Sequence, residues 1–308
     1  AQGASQTVRG WHHGRYRAMR SARARELLTA LAPALLQAFA DTANPNATLG
    51  RFDRFLSNLP TGVQLFSMLT ARPQLLELLA EIMGSAPRLA NYLAENSTVV
   101  DAMTSAEFLA TLPTLRVLRA EFAMAMDEAG DFQDVLDFTR RHVKERKFQI
   151  GAQILGGIID ADRSGAGYAD LAEAAVAALL PRVADAFAQD ERHGQISGGG
   201  MAVLAMGKLG SRELTGESDL DLIFVYDYPD PDAISDGARG LPAQQYFSRL
   251  SQRLINALTV PTAEGKLYEV DMRLRPSGNS GPVATRFDGF GDYQRNEAWT
   301  WEYMALTR

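Results

Sequence analysis

The spacing of apolar residues changes at Ser197-Gly198-Gly199-Gly200, and this change sets what the chain can fold into. Before it, apolar residues recur at helical intervals. Leu27, Leu28, Leu31, Leu35 and Phe39 do so within 22–40, and Leu109, Leu112, Leu115, Leu118 and Phe122 do so further on. Asp131 stands where a helix cap belongs, ahead of a long helix through Val135, Phe138, Val143 and Phe148 to Ile154. Asn44-Pro45-Asn46 and Leu59-Pro60-Thr61-Gly62 read as breaks. After the glycines the runs shorten. Met201 to Met206, Leu220 to Tyr226 and Tyr268 to Leu274 read as strands, with a helix over 243–259 and helical spacing over 287–308. The expected fold class is α+β: a helical region over 1–195, then a mixed unit over 196–308.

Composition narrows the chemistry. A 46% hydrophobic content over 308 residues supports a buried core. A formal charge of -6 argues against broad nucleic-acid binding, because phosphate backbones demand basic surfaces. With no cysteine, disulfides, zinc thiolates and cysteine nucleophiles are excluded. No apolar run reaches the ~18 residues of a membrane span, and Ala1-Gln2-Gly3-Ala4-Ser5 lacks the apolar core of a secretory signal. A cytoplasmic chain without a membrane partner is expected. The absent initiating Met and the uncapped end at Thr307-Arg308 make it look like a piece of a longer protein.

Three segments carry chemistry. Gly207-Lys208-Leu209-Gly210-Ser211 directly follows the first strand. Glycine there lets the backbone approach a ligand, and free N–H groups with the Ser211 hydroxyl can hold phosphate oxygens. Such a turn is also common where nothing binds. In Ser218-Asp219-Leu220-Asp221-Leu222-Ile223-Phe224, alternation puts Asp219 and Asp221 on one face and Leu220 and Leu222 on the other. Two carboxylates about 4 Å apart repel by about 4 kcal/mol at an effective dielectric of about 20. A divalent cation removes that repulsion, and hard oxygen ligands suit magnesium. Two exposed acids at a strand start give the same pattern. In Glu269-Val270-Asp271-Met272-Arg273-Leu274-Arg275-Pro276, alternation turns Val270, Met272 and Leu274 inward and leaves Asp271, Arg273 and Arg275 on the opposite face. That face is either a salt-bridge ladder or a third metal ligand beside two phosphate-binding arginines.

The order of the three is more informative than any one. Strand, Gly-Ser turn, strand with Asp-x-Asp and later strand with a third Asp resembles the DNA polymerase β-like nucleotidyltransferase superfamily. In such chemistry, attack on the α-phosphate of a nucleoside triphosphate builds charge on the attacking and leaving oxygens. Two metal ions about 3.5–4 Å apart can hold both, and the protein supplies alignment and charge stabilisation.

Closer still, Leu204-Ala205-Met206-Gly207-Lys208-Leu209-Gly210, Arg212-Glu213-Leu214, Ser218 to Leu222 and Val270 to Gly278 resemble the glutamine synthetase adenylyltransferase family. Its members carry two catalytic halves, one adding AMP to glutamine synthetase and one removing it. Tyr293-Gln294-Arg295-Asn296-Glu297-Ala298-Trp299-Thr300-Trp301-Glu302, with Tyr268-Glu269-Val270, resembles the C-terminal, adenylylating half. The match is specific over about residues 200–308.

This resemblance implies a polymerase β-like catalytic core over 196–308 and transfer of AMP from ATP to a tyrosine hydroxyl of glutamine synthetase, with pyrophosphate released. It implies two Mg2+ ions on Asp219, Asp221 and Asp271, the last also a candidate proton acceptor. Gly210, Ser211 and Ser218 would hold the nucleotide, with Lys208, Arg273 and Arg275 taking phosphate charge. It also implies a C-terminal regulatory helical domain outside this sequence, with glutamine and the PII signal protein as regulators of the full-length protein. Phosphorolytic removal of AMP, uridylyl transfer to a small signal protein and non-catalytic docking to glutamine synthetase remain the alternatives.

Other residues read more plainly. His12, His13, His142 and His193 are too scattered to suggest a metal cluster. Trp299 and Trp301 read as core or interface residues, and Met201, Met206 and Met272 as core filler. Arg140-Arg141 and Lys144, Arg146 and Lys147 read as a solvated helix face. The acidic stretch from Asp227 to Gly240 reads as a solvated loop.

Overall fold

A computed structural model describes residues 2–13, 15–96, 98–103, 106–189, 192–230 and 232–306. The terminal Thr307 and Arg308 lie outside these residues, as does Ala1. The chain divides into two compact units: residues 1–112 with 148–160, and residues 113–147 with 161–308. The helix Phe132–Leu155 contributes residues to both.

The first unit is helical. Ser21 caps the helix Ala22–Ala40 by accepting from the Ala24 N–H, and Asn44 caps Pro45–Asn58 through Ala47. The Asn44-Pro45 break thus ends one helix and begins the next, with Pro45 at a position where its missing N–H is harmless. The periodic residues Leu28, Leu31, Leu35 and Phe39 are buried with Trp11, Phe52 and Phe66 in one core. Edge-on ring contacts from Trp11 and Phe39 converge on Phe52. The helical spacing from Leu109 to Phe122 is interrupted. One helix ends at Ala110 and the next begins at Leu115. Pro113 offers no N–H and disfavours a helical residue before it, and the Thr114 hydroxyl caps the new helix by accepting from Val117.

The second unit places helices beside a four-stranded mixed sheet. Its strands are β1 (Gly200–Ala205), β2 (Leu220–Asp227), β3 (Val270–Asp271) and β4 (Ala284–Arg286). β1 runs antiparallel to β2 along one edge. The opposite edge of β2 is shared: β3 pairs with its beginning and β4 with its end, both parallel. β2 is therefore the buried centre, and Leu220, Leu222, Ile223, Phe224, Val225 and Tyr226 are all buried. The helix Ala243–Thr259 buries Tyr246, Phe247, Leu250, Leu254 and Leu258, and Phe247 stacks on Tyr226.

The third strand is shorter than the expected Tyr268–Leu274. Only Val270 and Asp271 pair with β2. The Asp271 side chain accepts the Arg273 N–H at 2.8 Å, and Arg275 N–H donates to the Met272 carbonyl. These local bonds turn the chain out of the sheet, and β4 takes the remaining edge. The terminal helical stretch likewise forms two helices, Phe287–Asn296 and Thr300–Leu306. Trp299 and Trp301 are exposed and contribute to no core.

The basic run does not form one solvated face. Arg140 is 1% exposed and donates to the carbonyls of Leu136, Ala257, Val260 and Gly265. It closes the C-terminal end of the helix Ala243–Thr259, where carbonyls otherwise lack partners. Asp131 caps its helix as expected, accepting from Asp134 at 2.9 Å. Among the described residues, no helix is long and apolar enough to cross a membrane.

Candidate active site

Alternation along β2 fixes the two carboxylates of Asp-x-Asp. Leu220 and Leu222 are buried on one side, which leaves Asp219 exposed just before the strand and Asp221 partly buried within it. β3 then brings Asp271 to Asp221 as its register partner. The three acids feel one another. Burial raises the Asp221 pKa above the ordinary carboxylate value, and the charges of Asp219 and Asp271 raise it further; Arg273 and Lys208 oppose this. Asp271 moves the other way. The hydrogen bond from Arg273 holds it below the usual range, against the effect of burial.

Arg273 grips Asp271 closely. Its backbone N–H donates to Oδ1, its Nε donates to Oδ2 at 2.7 Å, and its Nη2 pairs with the same oxygen. The Arg273 side chain is 75% exposed, so the grip comes from solvent and not from a packed wall. Arg275 folds onto its own turn, donating to Met272 and Gly281 carbonyls, although its charge still acts on Asp271.

The glycine-serine segment is a short helix, Gly207–Gly210. Gly210 N–H donates to Met206 and Ser211 N–H to Gly207, so these two amides close the turn. The Ser211 hydroxyl donates to Glu213 at 3.0 Å, and Lys208 is exposed. Ser218 closes the turn before β2, its hydroxyl accepting the Thr215 N–H at 3.1 Å. Gly207 has a φ of +52°, and a Cβ there would run into the Asp221 carboxylate. Arg212 also has a positive φ, +64°, and its guanidinium pairs with Asp170 and Glu173 of the helix Ala161–Ala188. This conformation is strained for a residue with a side chain, and the ion pairs hold it in place.

The donor set suits a hard divalent cation: Asp219 just before β2, with Asp221 and Asp271 on adjacent strands, the first of these two with its pKa raised by burial and by the neighbouring acids. In the present rotamers they do not converge. Among the described residues, no group of three His, Asp or Glu side chains is placed to hold a metal ion. Arg273 accounts for this, since both Asp271 oxygens are turned to it. The histidines form no cluster either; His142 lies against Glu121 at 2.9 Å, its ring beside Phe122 and Phe138.

Sequence reasoning singled out Asp219, Asp221, Asp271 and Arg273, and the fold brings these together. What the sequence does not mark is that Gly207 leaves room for the Asp221 carboxylate, and that Arg212, in the left-handed region, is ion-paired to the helix Ala161–Ala188.

These features define an α+β protein with an acidic, arginine-flanked site at one end of a small mixed sheet. The glutamate-ammonia ligase adenylyltransferase family model matches residues 76–308, and the chain belongs to that family. It is 52% identical over 301 residues to a bifunctional glutamine synthetase adenylyltransferase/adenylyl-removing enzyme of Brucella suis, covering 98% of this chain and 30% of the relative. The similarly named protein of Mesorhizobium japonicum is 50% identical with the same coverage, and that of Bartonella quintana is 45% identical, over 98% of this chain and 31% of the relative. The chain thus spans under a third of the length of these relatives.

Proposed function

We propose that this chain carries the adenylylating site of a glutamine synthetase adenylyltransferase, on a polymerase β-like nucleotidyltransferase core over residues 196–308. The observation that carries the reading is the coupled set Asp219, Asp221 and Asp271 at the start of β2 and β3. Family membership and the names of the relatives support the substrate assignment. The resemblance of Tyr293 to Glu302 to the adenylylating half supports the direction.

In this reading, Asp219 and Asp221 would hold Mg2+, with Asp271 as the third carboxylate once the exposed Arg273 guanidinium turns to a phosphate of ATP. Two bound Mg2+ ions would neutralise charge on the triphosphate and on the attacking oxygen. Lys208, Arg273 and Arg275 supply further positive charge. Gly210 offers a backbone without a side chain, and the Ser218 hydroxyl, with that of Ser211 once it turns from Glu213, would offer donors to the phosphates. The tyrosine oxygen of glutamine synthetase bonds to the α-phosphorus as the bond to the β-phosphate oxygen breaks, and pyrophosphate leaves. The hydroxyl proton passes to solvent water. Once Arg273 has turned away, a cation beside Asp271 would keep it ionised and poorly basic, so its assigned role is that of ligand.

Glutamine and the PII signal protein would act on the full-length protein, in the cytoplasm where ATP and glutamine synthetase meet. The test mixes this chain with unmodified glutamine synthetase, Mg2+ and α-phosphate-labelled ATP, beside an Asp219→Ala/Asp221→Ala variant. Label on glutamine synthetase only with the unsubstituted chain supports the reading. Phosphate-driven release of ADP from adenylylated glutamine synthetase, without forward transfer, would reassign the site to the removing reaction. Failure to bind both ATP and Mg2+ would overturn it.

A further inference from the structure

Lysine side chains ordinarily bury their stems and leave the ammonium in water. Lys147, partly buried, turns its ammonium inward instead. Its Nζ donates to the Gly216 carbonyl at 3.0 Å and lies 4.3 Å from the centre of the Tyr268 ring. Burial pulls its pKa down to about 8. Among the described residues, no ion pair involves it. Its surroundings are tyrosines: Tyr168 lies beside Gly216, and the fully enclosed Tyr268 hydroxyl has no hydrogen-bond partner among the described residues. A cation placed against one carbonyl and one aromatic face is poorly compensated for lost water, so this arrangement is a weak source of stability.

The two groups it touches share a relation to the carboxylates. Gly216 lies three residues before Asp219, in the turn entering β2, and Tyr268 lies three residues before Asp271, in the segment entering β3. These segments are distant in sequence, and Lys147 bridges them just ahead of the acids.

We propose that Lys147 is a positioning residue that ties the segment entering β2 to the segment entering β3 and thereby fixes the placement of Asp219 and Asp221 relative to Asp271. The proposal rests on the carboxylate site described above. A displacement of about 1 Å in a site of this kind lowers the rate by about 100-fold, which sets the expected size of the effect.

The test uses the whole chain with Lys147→Met, which keeps the stem and removes the charge, and Lys147→Gln, which keeps an N–H donor. Thermal melts establish that each is folded. Mn2+ binding is followed by the electron paramagnetic resonance of free Mn2+, AMP transfer by label, and amide exchange across 215–221 and 268–271. The expected result is Mn2+ affinity weakened about tenfold and kcat lowered about 100-fold with the KM for ATP within about twofold. Exchange rises in those two segments and not elsewhere. Lys147→Arg recovers part of each. A folded variant with unchanged exchange in both segments, or with unchanged Mn2+ affinity and kcat, overturns the proposal; so does failure of both variants to fold, which assigns Lys147 to stability. If the unsubstituted chain binds no Mn2+ and transfers no AMP, the functional reading fails, and amide exchange still decides whether Lys147 ties the two segments.

Discussion

Asp221 and Asp271 are register partners across the parallel pairing of β2 with β3, yet their protonation is biased in opposite directions. Burial and the neighbouring acids raise Asp221, while the Arg273 hydrogen bond lowers Asp271. Opposed environments of this kind separate the roles of adjacent carboxylates. Asp271→Asn keeps the shape and removes the charge. We expect Mn2+ affinity to fall at least about tenfold together with AMP transfer, as for a lost ligand. Normal Mn2+ binding with transfer abolished would instead make Asp271 the proton acceptor.

Gly207 underlies Asp221. With φ at +52° and the Asp221 carboxylate where a Cβ would sit, alanine is disfavoured twice. Gly207→Ala is expected to destabilise the chain by about 1–2 kcal/mol from the backbone alone, seen as a lower urea midpoint. It should also displace Asp221 and lower AMP transfer more than the stability loss explains. A variant that is less stable but fully active at 10 °C would show that the carboxylate tolerates the shift.

Arg140 holds three carbonyls at and after the end of the helix Ala243–Thr259 as well as one in its own helix. Removing it leaves buried acceptors unsatisfied. Arg140→Met should destabilise by about 3 kcal/mol, read from equilibrium unfolding. Arg140→Lys should restore little, because one ammonium cannot span carbonyls that a planar guanidinium reaches together. Full recovery by lysine would reduce the site to simple charge placement.

Lys147 predicts a pH dependence of stability. Its ordinary value is 10.5 and its folded value about 8. Below pH 8 both states hold the proton, and the penalty for burying the charge is constant. Between 8 and 10.5 the unfolded chain binds more protons, so stability rises with pH, by at most about 3 kcal/mol. Tyr168, raised to about 12 by burial, and Tyr268, also raised, act oppositely above pH 10. The unfolding free energy of the unsubstituted chain, less that of Lys147→Met, should therefore increase from pH 8 to 10. A flat difference would place the ammonium in water.

Much of the local structure was legible because its causes are local. Side-chain type and spacing set the helices at 22–40 and 243–259, and the same period-two logic put Asp219 and Asp221 opposite Leu220 and Leu222. The acidic pair and its arginine-flanked partner could be named as a candidate site before any fold was known. Where reading failed, competing bonds had won. Tyr268 to Leu274 has strand spacing, but the Asp271 side chain captures the Arg273 amide and bends the chain away. The ammonium of Lys147 and the guanidinium of Arg140 sit in a run that looks solvated, and their destinations lie about 70 to 125 residues further along the chain.

The sequence by itself determined most of the helices, the faces of β2 and the identity of the acids, since periodicity and alternation are properties of neighbouring residues. Only the tertiary structure decided that Asp271 registers with Asp221, that β4 takes the edge of β2 left beyond β3, and that Lys147 turns inward between two entering segments. Those outcomes depend on which distant backbone groups compete for one strand edge or one cation, and that competition is settled by burial and hydrogen-bond satisfaction across the whole unit.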